Sequence, residues 1–320
     1  TTNTYNVAVG HSAGKNITTG IQNTIIGGLA GDSFTDADFN VALGYGALTA
    51  DTLGSMSVAV GYTALGSQNM TTATNALNVG VGQAAGSAIT TGTNNVIVGG
   101  LGADALTEGA NNIAIGTQAL GSDTLGSRSV AIGDGALLFQ NFTTATNSNN
   151  VAVGYQAGAQ ITTGDSNTLL GNLVGDALTT GNSNVAVGYN ALTTATGDAG
   201  VVAVGHNALK TLNSNSTNYN VGVGESAGES MTTGIQNTLL GGLAGDALTD
   251  SDYNVAVGYG ALSSDTLGSK STALGRRALG AQNFTTATDS NNTAVGYNAG
   301  LNVTTGIENT LVGAKAGDAL

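Results

Sequence analysis

The pentapeptide Asn6-Val7-Ala8-Val9-Gly10, followed by an alanine at residue 13, is the stretch of sequence that decides the fold. It recurs almost unchanged at Asn184–Gly188 and at Asn254–Gly258. Eighteen glycines anchor copies of it, at residues 10, 27, 44, 61, 82, 99, 116, 133, 154, 171, 188, 205, 224, 241, 258, 275, 296 and 313. Such regular self-similarity predicts a solenoid, in which each coil buries its apolar face on its neighbours.

The anchoring glycines lie 17 residues apart in most units, and the spacing widens to 21 or 19 residues after every fourth one. A longer period of 72 residues, shortened once to 70, is therefore superimposed on the short one. We expect a single repeat array over residues 1–320 with about 18 coils. Its four-coil units span residues 6–77, 78–149, 150–219, 220–291 and, as a partial unit, 292–320.

The columns of the repeat, counted from the anchoring glycine as zero, predict β-strands. Position −3 is Val, Ile or Thr and position −1 is Val, Ile or Leu in all eighteen units. Asn or Ser fills position −4 in seventeen units, which suits a column of hydrogen bonds along the stack. Ala at position +3 is expected to begin a second strand. The sequence therefore predicts an all-β parallel solenoid with two strands of about four residues per coil.

Position −2 lies between the two apolar columns and is never polar. Because alternate residues of a strand point to opposite faces, both faces must be buried, whereas one thin coil can bury only one. The economical partner is another copy of the chain. We therefore expect position −2, which is small in thirteen units, to face an axis shared between chains. Its five large residues are expected to pack there: Ile25, Ile97, Leu169, Leu239 and Leu311.

Inserts follow every fourth coil and are expected to project from the solenoid. The long form reads Asn-Met/Phe-Thr-Thr-Ala-Thr, and the short form spans Asn213 to Tyr219. If the chain touches a receptor or a glycan, these loops are the expected contacts. Their candidate contact residues are Met70, Phe142, Phe284 and Tyr219.

Composition narrows the classes of function. Charged residues make up 8% of the chain and the net charge is −13, which gives no electrostatic footprint for nucleic acid. Without cysteine there is no disulfide framework and no thiolate metal site. No apolar stretch approaches the ~18 residues of a membrane span. Since the repeat begins at once and stops in mid-unit, we expect a segment of a longer fibre.

Three motifs favour other functions, and each has a simpler interpretation. Ser12 and Ser226 lie in Gly-x-Ser-x-Gly sequences typical of hydrolases, but the same column holds other residues elsewhere. The Asp32 column, typical of calcium-binding solenoids, and the Thr-Thr-Gly motif at Thr18, typical of ice-binding ones, each recur only once in four coils. We expect no enzyme, cofactor or metal site, with a calcium- or ice-binding solenoid as the alternative.

The repeat resembles a known family. Asn-Val-Ala-Val-Gly-Tyr-x-Ala, at Asn150–Ala157 and Asn254–Ala261, is similar to the head repeats of YadA-like trimeric autotransporter adhesins and to repeats of bacteriophage tail fibres. The resemblance implies a left-handed parallel β-roll, a homotrimer and an extracellular position on a cell or virion surface. The coils here are longer than typical head repeats, and no heptad run is present. We expect a noncatalytic shaft or head that gives length and attachment.

Overall fold

A computed structural model describes residues 4–319, and the chain divides into two compact units, Thr1–Asp165 and Ser166–Leu320. Within residues 4–319 every regular element is a β-strand and no helix occurs. In the described part of each unit, nine coils contribute nine three-residue strands that pair in parallel. The predicted all-β parallel solenoid of about 18 coils is thus confirmed.

The strands are short and evenly spaced. In the first unit they are β1 Val7–Val9, β2 Thr24–Ile26, β3 Val41–Leu43, β4 Gly54–Ser55, β5 Val58–Val60, β6 Thr74–Asn75, β7 Val79–Val81, β8 Val96–Val98, β9 Ile113–Ile115, β10 Gly126–Ser127, β11 Val130–Ile132, β12 Thr146–Asn147 and β13 Val151–Val153. In the second unit they are β14 Thr168–Leu170, β15 Val185–Val187, β16 Val202–Val204, β17 Val221–Val223, β18 Thr238–Leu240, β19 Val255–Val257, β20 Gly268–Ser269, β21 Thr272–Leu274, β22 Thr288–Asp289, β23 Thr293–Val295 and β24 Thr310–Val312.

Each coil places its strand at positions −3 to −1, and consecutive coils pair in register. In β8 and β9, for example, Val96 pairs with Ile113 and Ile97 with Ala114. The expected second strand after position +3 is wrong. The chain there runs through tight turns with positive φ at positions +2 and +4, such as 56° at Leu101 and 43° at Ala103. The additional two-residue strands lie only beside the three long inserts, where they pair as β4–β6, β10–β12 and β20–β22.

The anchoring glycine is required by the close approach of neighbouring coils. Gly99 has a φ of 143°, a conformation that side-chain-bearing residues rarely adopt. A Cβ built on it would lie 2.3 Å from the carbonyl oxygen of Gly116 in the next coil. The same overlap recurs along the column, which explains why glycine never varies there.

The asparagine column at position −4 holds successive coils together, as predicted. Asn95 accepts a hydrogen bond on Oδ1 from the backbone N of Asn112 at 3.0 Å. Its Nδ2 donates to the carbonyl of Gly109 at 2.9 Å, which holds the turn that precedes the strand of the next coil. Asn237 repeats the arrangement in the second unit through Asn254 N at 2.9 Å and Ser251 O at 2.7 Å. These side chains are buried, so each bond satisfies a group that water cannot reach.

Position −2 faces the interior of its own coil, which corrects the expected placement of the large residues there. Ile25, Ile97, Leu169 and Leu239 have no solvent exposure in the single chain, and Leu311 in β24 is partly exposed. The physical reason is volume compensation within the solenoid interior, between neighbouring coils. A Cβ on Gly86, at position +4, would lie 2.7 Å from Ile97 Cδ1. Where position −2 is large, position +4 is Gly or Ala; where position +4 is Leu, position −2 is Ala or Gly.

Candidate functional site

The apolar surface left open by this packing is the opposite face of the sheet. We call positions −3 and −1 of every coil the outer apolar face. Leu43 is 42% exposed, and Val98 and Ile115 are each 37% exposed. Since position −2 is buried within the chain, the second apolar face of each strand is this outer face, which the single chain leaves open. The sequence alternation identified two apolar faces and assigned them the wrong way round.

Aromatic residues border the outer apolar face at position +1. Tyr45 and Tyr62 come from consecutive coils and stack with their ring centroids 5.7 Å apart. The sheet repeat places their Cα atoms ~4.8 Å apart, which suits offset ring stacking. At position −5 the exposed Phe39 and Met56 border the same strands on their other side. In these two coils, the surface from position −5 to position +1 is therefore a broad apolar patch.

In the second unit, position +1 holds histidine and arginine as well as tyrosine. The Tyr189 and His206 rings stack with centroids 5.7 Å apart. Further along, the guanidinium of Arg276 lies 5.9 Å from the Tyr259 ring centroid and 5.7 Å from that of Tyr297. Arg276 is thus held between two aromatic faces by cation–π attraction. The column at position +1 is ordered by stacking and remains accessible.

Three of the four predicted loop contacts are buried, which corrects the expectation that the long inserts present their Met or Phe side chains. Met70, Phe142 and Phe284 are 3%, 6% and 6% exposed, whereas Tyr219 of the short insert is 61% exposed. The long inserts fold back over the solenoid because a buried aspartate holds their backbone. For example, Phe142 N donates to Asp123 Oδ1 at 3.1 Å. Of the four residues, only Tyr219 lies where a receptor or glycan could touch it.

A buried polar network that was not predicted from the sequence lies beneath each long insert. Asp123 Oδ1 also accepts from Gly126 N at 3.0 Å, and Oδ2 accepts from Gln140 Nε2 at 2.6 Å. Gln140 in turn accepts from Asn150 Nδ2 at 2.9 Å. Burial raises the pKa of the Asp123 carboxyl, and these hydrogen bonds oppose that shift. The signal was present as an Asp and a Gln at position +7 of consecutive coils.

The short insert replaces the same network by apolar residues. Ala195, Val201 and Leu212 occupy the columns that hold Asp, Ser and Gln beside the long inserts, and all three are fully buried. Asp198, three residues after Ala195, anchors the short insert by accepting from Ser214 N at 2.8 Å. In both kinds of insert, the position of the buried carboxylate follows the loop whose backbone it binds. The coil itself does not require a carboxylate at position +7, since Ala195 takes that place beside the short insert.

The remaining motif residues engage partners within the chain. Asp32 accepts from Thr49 Oγ1 at 2.6 Å and pairs with Lys15 Nζ at 3.3 Å. Thr18 Oγ1 donates to the carbonyl of Thr35 at 3.0 Å, in a threonine ladder that continues through three of every four coils. Backbone N of Ser226 donates to the carbonyl of His206 at 2.9 Å. Each residue thus has a structural partner in the stack.

Neither a cluster of metal-binding side chains nor a membrane-spanning helix occurs in the part of the chain that the structure describes. Residues 4–319 contain no group of three or more His, Cys, Asp or Glu side chains placed to hold a metal ion. Across the same residues, no helix is long and apolar enough to cross a membrane. Comparison with known proteins assigns no family, since no protein-family model matches the chain and no curated protein gives a significant match.

Proposed function

We propose that this chain is a noncatalytic structural segment of an extracellular surface fibre, adhesin-like or tail-fibre-like. In this proposal three copies with left-handed coils pack through their outer apolar faces, on a cell or virion surface. The fibre provides length and carries contacts for a host receptor or glycan. The observation that supports it is the pair of columns at positions −3 and −1, which carry Val, Ile, Leu or Thr and are at least partly exposed on every coil.

The chemistry of the outer apolar face favours copies of the same chain as its partner. No charged residue occurs at position −3 or −1, so the net charge of −13 does not oppose contact there. Burying a Val, Leu or Ile that is already half-covered gains on the order of 0.5–1 kcal/mol, and each coil offers two such side chains, or one where position −3 is Thr. A second copy also presents the same coil spacing, so its side chains stay in register along the whole face.

The solution mass tests this proposal. We expect light scattering to give a mass near three chains, each of 31.1 kDa. Ile115→Glu places a charge on the outer apolar face and should reduce the mass to that of one chain while the β-sheet circular dichroism is retained. Gln118→Glu is the matched control, because Gln118 is exposed two residues after the anchoring glycine. A wild-type monomer, or an Ile115→Glu variant of unchanged mass, would contradict the proposal.

Adding a calcium chelator distinguishes the proposed fibre from the alternative function, a calcium-binding solenoid. The proposed fibre contains no ion, so mass and melting temperature should be the same with and without chelator. A chelator-dependent fall in either quantity would favour the ligand-binding alternative.

A further inference from the structure

A shallow groove of about 300 Å³ lies on the turns of the second unit, away from positions −3 and −1. Its lining includes Ser263, Ser264, Arg277, Gly280 and Asn302, together with the methyl-bearing surfaces of two neighbouring side chains. Gly280 keeps the groove open, because a Cβ there would lie 3.1 Å from Leu301 Cδ1. The groove therefore offers hydroxyl and amide groups beside a small apolar surface.

The charge of the groove is opposite to that of the chain as a whole. Arg277 is exposed, and it forms no ion pair with a carboxylate among residues 4–319. None of the residues that line the groove is acidic. The preceding residue, Arg276, is held between Tyr259 and Tyr297 and does not line the groove. An exposed guanidinium without a carboxylate partner favours an anionic ligand.

The same place in the first four-coil unit carries a neutral groove. That groove has a volume of about 360 Å³ and is lined by Thr49, Thr63, Gly66, Ser67 and Ser87, with an adjoining alanine. Thr63 takes the column position of Arg277, and Gly66 takes that of Gly280. The repeat thus supplies a groove of similar size without the cation.

The other two four-coil units fill this place with side chains. The column position of Gly280 is occupied by Leu138 in the second four-coil unit and by Lys210 in the third. Lys210 pairs with Glu229 at 3.8 Å, so its charge is already compensated. Of the four equivalent places, only the one at Arg277 combines an open groove with an uncompensated cation.

We propose that the groove at Arg277 binds an anionic saccharide. The Arg277 guanidinium would hold the carboxylate of a uronic acid, and Ser263, Ser264 and Asn302 would hydrogen-bond its ring hydroxyls. A volume of about 300 Å³ is at the lower end of ligand pockets and suits one sugar ring. This site is independent of the assembly proposed above, so binding and solution mass test the two proposals separately.

Isothermal titration with glucuronate, glucose and acetate tests the site in the full chain. We expect one glucuronate to bind per chain. Glucose lacks the carboxylate and acetate lacks the ring hydroxyls, so each should bind at least about tenfold more weakly, since one charge-assisted contact contributes roughly the free energy of a tenfold change. Arg277→Gln should weaken glucuronate binding by at least about tenfold at unchanged circular dichroism. Unchanged binding in Arg277→Gln would overturn the site. Acetate that binds as tightly as glucuronate would overturn the saccharide.

The neutral groove allows a gain of binding as the matched control. Thr63→Arg places a cation in the groove at Gly66, so the stoichiometry for glucuronate should rise from about one to about two per chain. A stoichiometry that stays at one would overturn the claim that an open groove and its arginine together make the site. Because Thr63→Arg adds a site rather than removing one, loss of folding cannot produce the expected result.

Discussion

The anchoring glycine column gives the sharpest test of how the coils are held together. In Gly99→Ala the new Cβ would lie 2.3 Å from Gly116 O, and its φ of 143° is strained for alanine. The strain costs ~1–3 kcal/mol. Relieving the overlap must move the two coils apart, which weakens the hydrogen bonds that join them, from Gly116 N to Val98 O at 2.8 Å and from Gln118 N to Gly100 O at 3.1 Å. At about 1 kcal/mol for each bond, we expect a total loss of about 3–5 kcal/mol.

The next residue provides the control within the same turn. Gly100 has no atom within 4 Å of the place where a Cβ would be built, and its φ is not positive. Gly100→Ala should therefore leave the free energy of unfolding within about 1 kcal/mol of wild type, on the stabilising side. Urea unfolding followed by far-ultraviolet circular dichroism measures both variants. If the two substitutions changed the unfolding free energy equally, the close approach of coils at the glycine column would be refuted.

Three further predictions concern the buried polar groups. Asn112→Ala should cost about 2–4 kcal/mol in urea unfolding, because it leaves a backbone N and a carbonyl of the stack without partners; a loss below about 1 kcal/mol would contradict the ladder. Asp123→Asn and Gln140→Glu should each destabilise the chain. In the double variant the donor and the acceptor exchange sides, so the hydrogen bond is restored and a double-mutant cycle should show favourable coupling of about 1 kcal/mol or more. Purely additive losses would refute the contact. Burial raises the pKa of Asp51 and Asp123 above the ordinary value of 3.8, so the folded chain binds more protons at these carboxyls than the unfolded chain does. The contribution of the two carboxyls to stability should therefore fall as the pH rises from 3.8 through the raised pKa values. The slope of unfolding free energy against pH should flatten when both become Asn, and an unchanged slope would sink this account.

Much of the fold could be predicted from the sequence, because a repeat turns local patterns into columns. The β-branched residues at position −3 and the glycine at zero defined the strand and the coil. The asparagine at position −4 was expected to bond along the stack, and Asn95 does so. These features depend on spacing along the chain and on stacking in register, and both can be read from eighteen copies.

Alternation alone could not predict which face of each strand points into the coil. Alternation shows that Ile97 and Val98 point to opposite sides, and both sides are apolar. What places Ile97 inside is the space beside Gly86, which belongs to the preceding coil. Each large residue at position −2 follows a coil with glycine at position +4, and that covariation was the available signal.

The burial of the insert aromatics depended on a contact that is distant in sequence. Phe142 was expected to project because it lies in an insert that interrupts the 17-residue spacing. Its backbone N is held by Asp123, 19 residues earlier, inside a network with Gln140. Only the recurrence of Asp and Gln at position +7 with each long insert could have indicated this.

The central claim is that position −2 faces the coil interior and that copies of the chain cover positions −3 and −1. Labelling rates of single introduced cysteines test it most directly, since the chain has none of its own. We expect Gln118→Cys to react rapidly at every protein concentration and Ala114→Cys to react only on unfolding. Ile115→Cys should be protected at high concentration and become reactive on dilution. Rapid labelling at residue 114 in the folded chain, or at residue 115 regardless of concentration, would contradict the account.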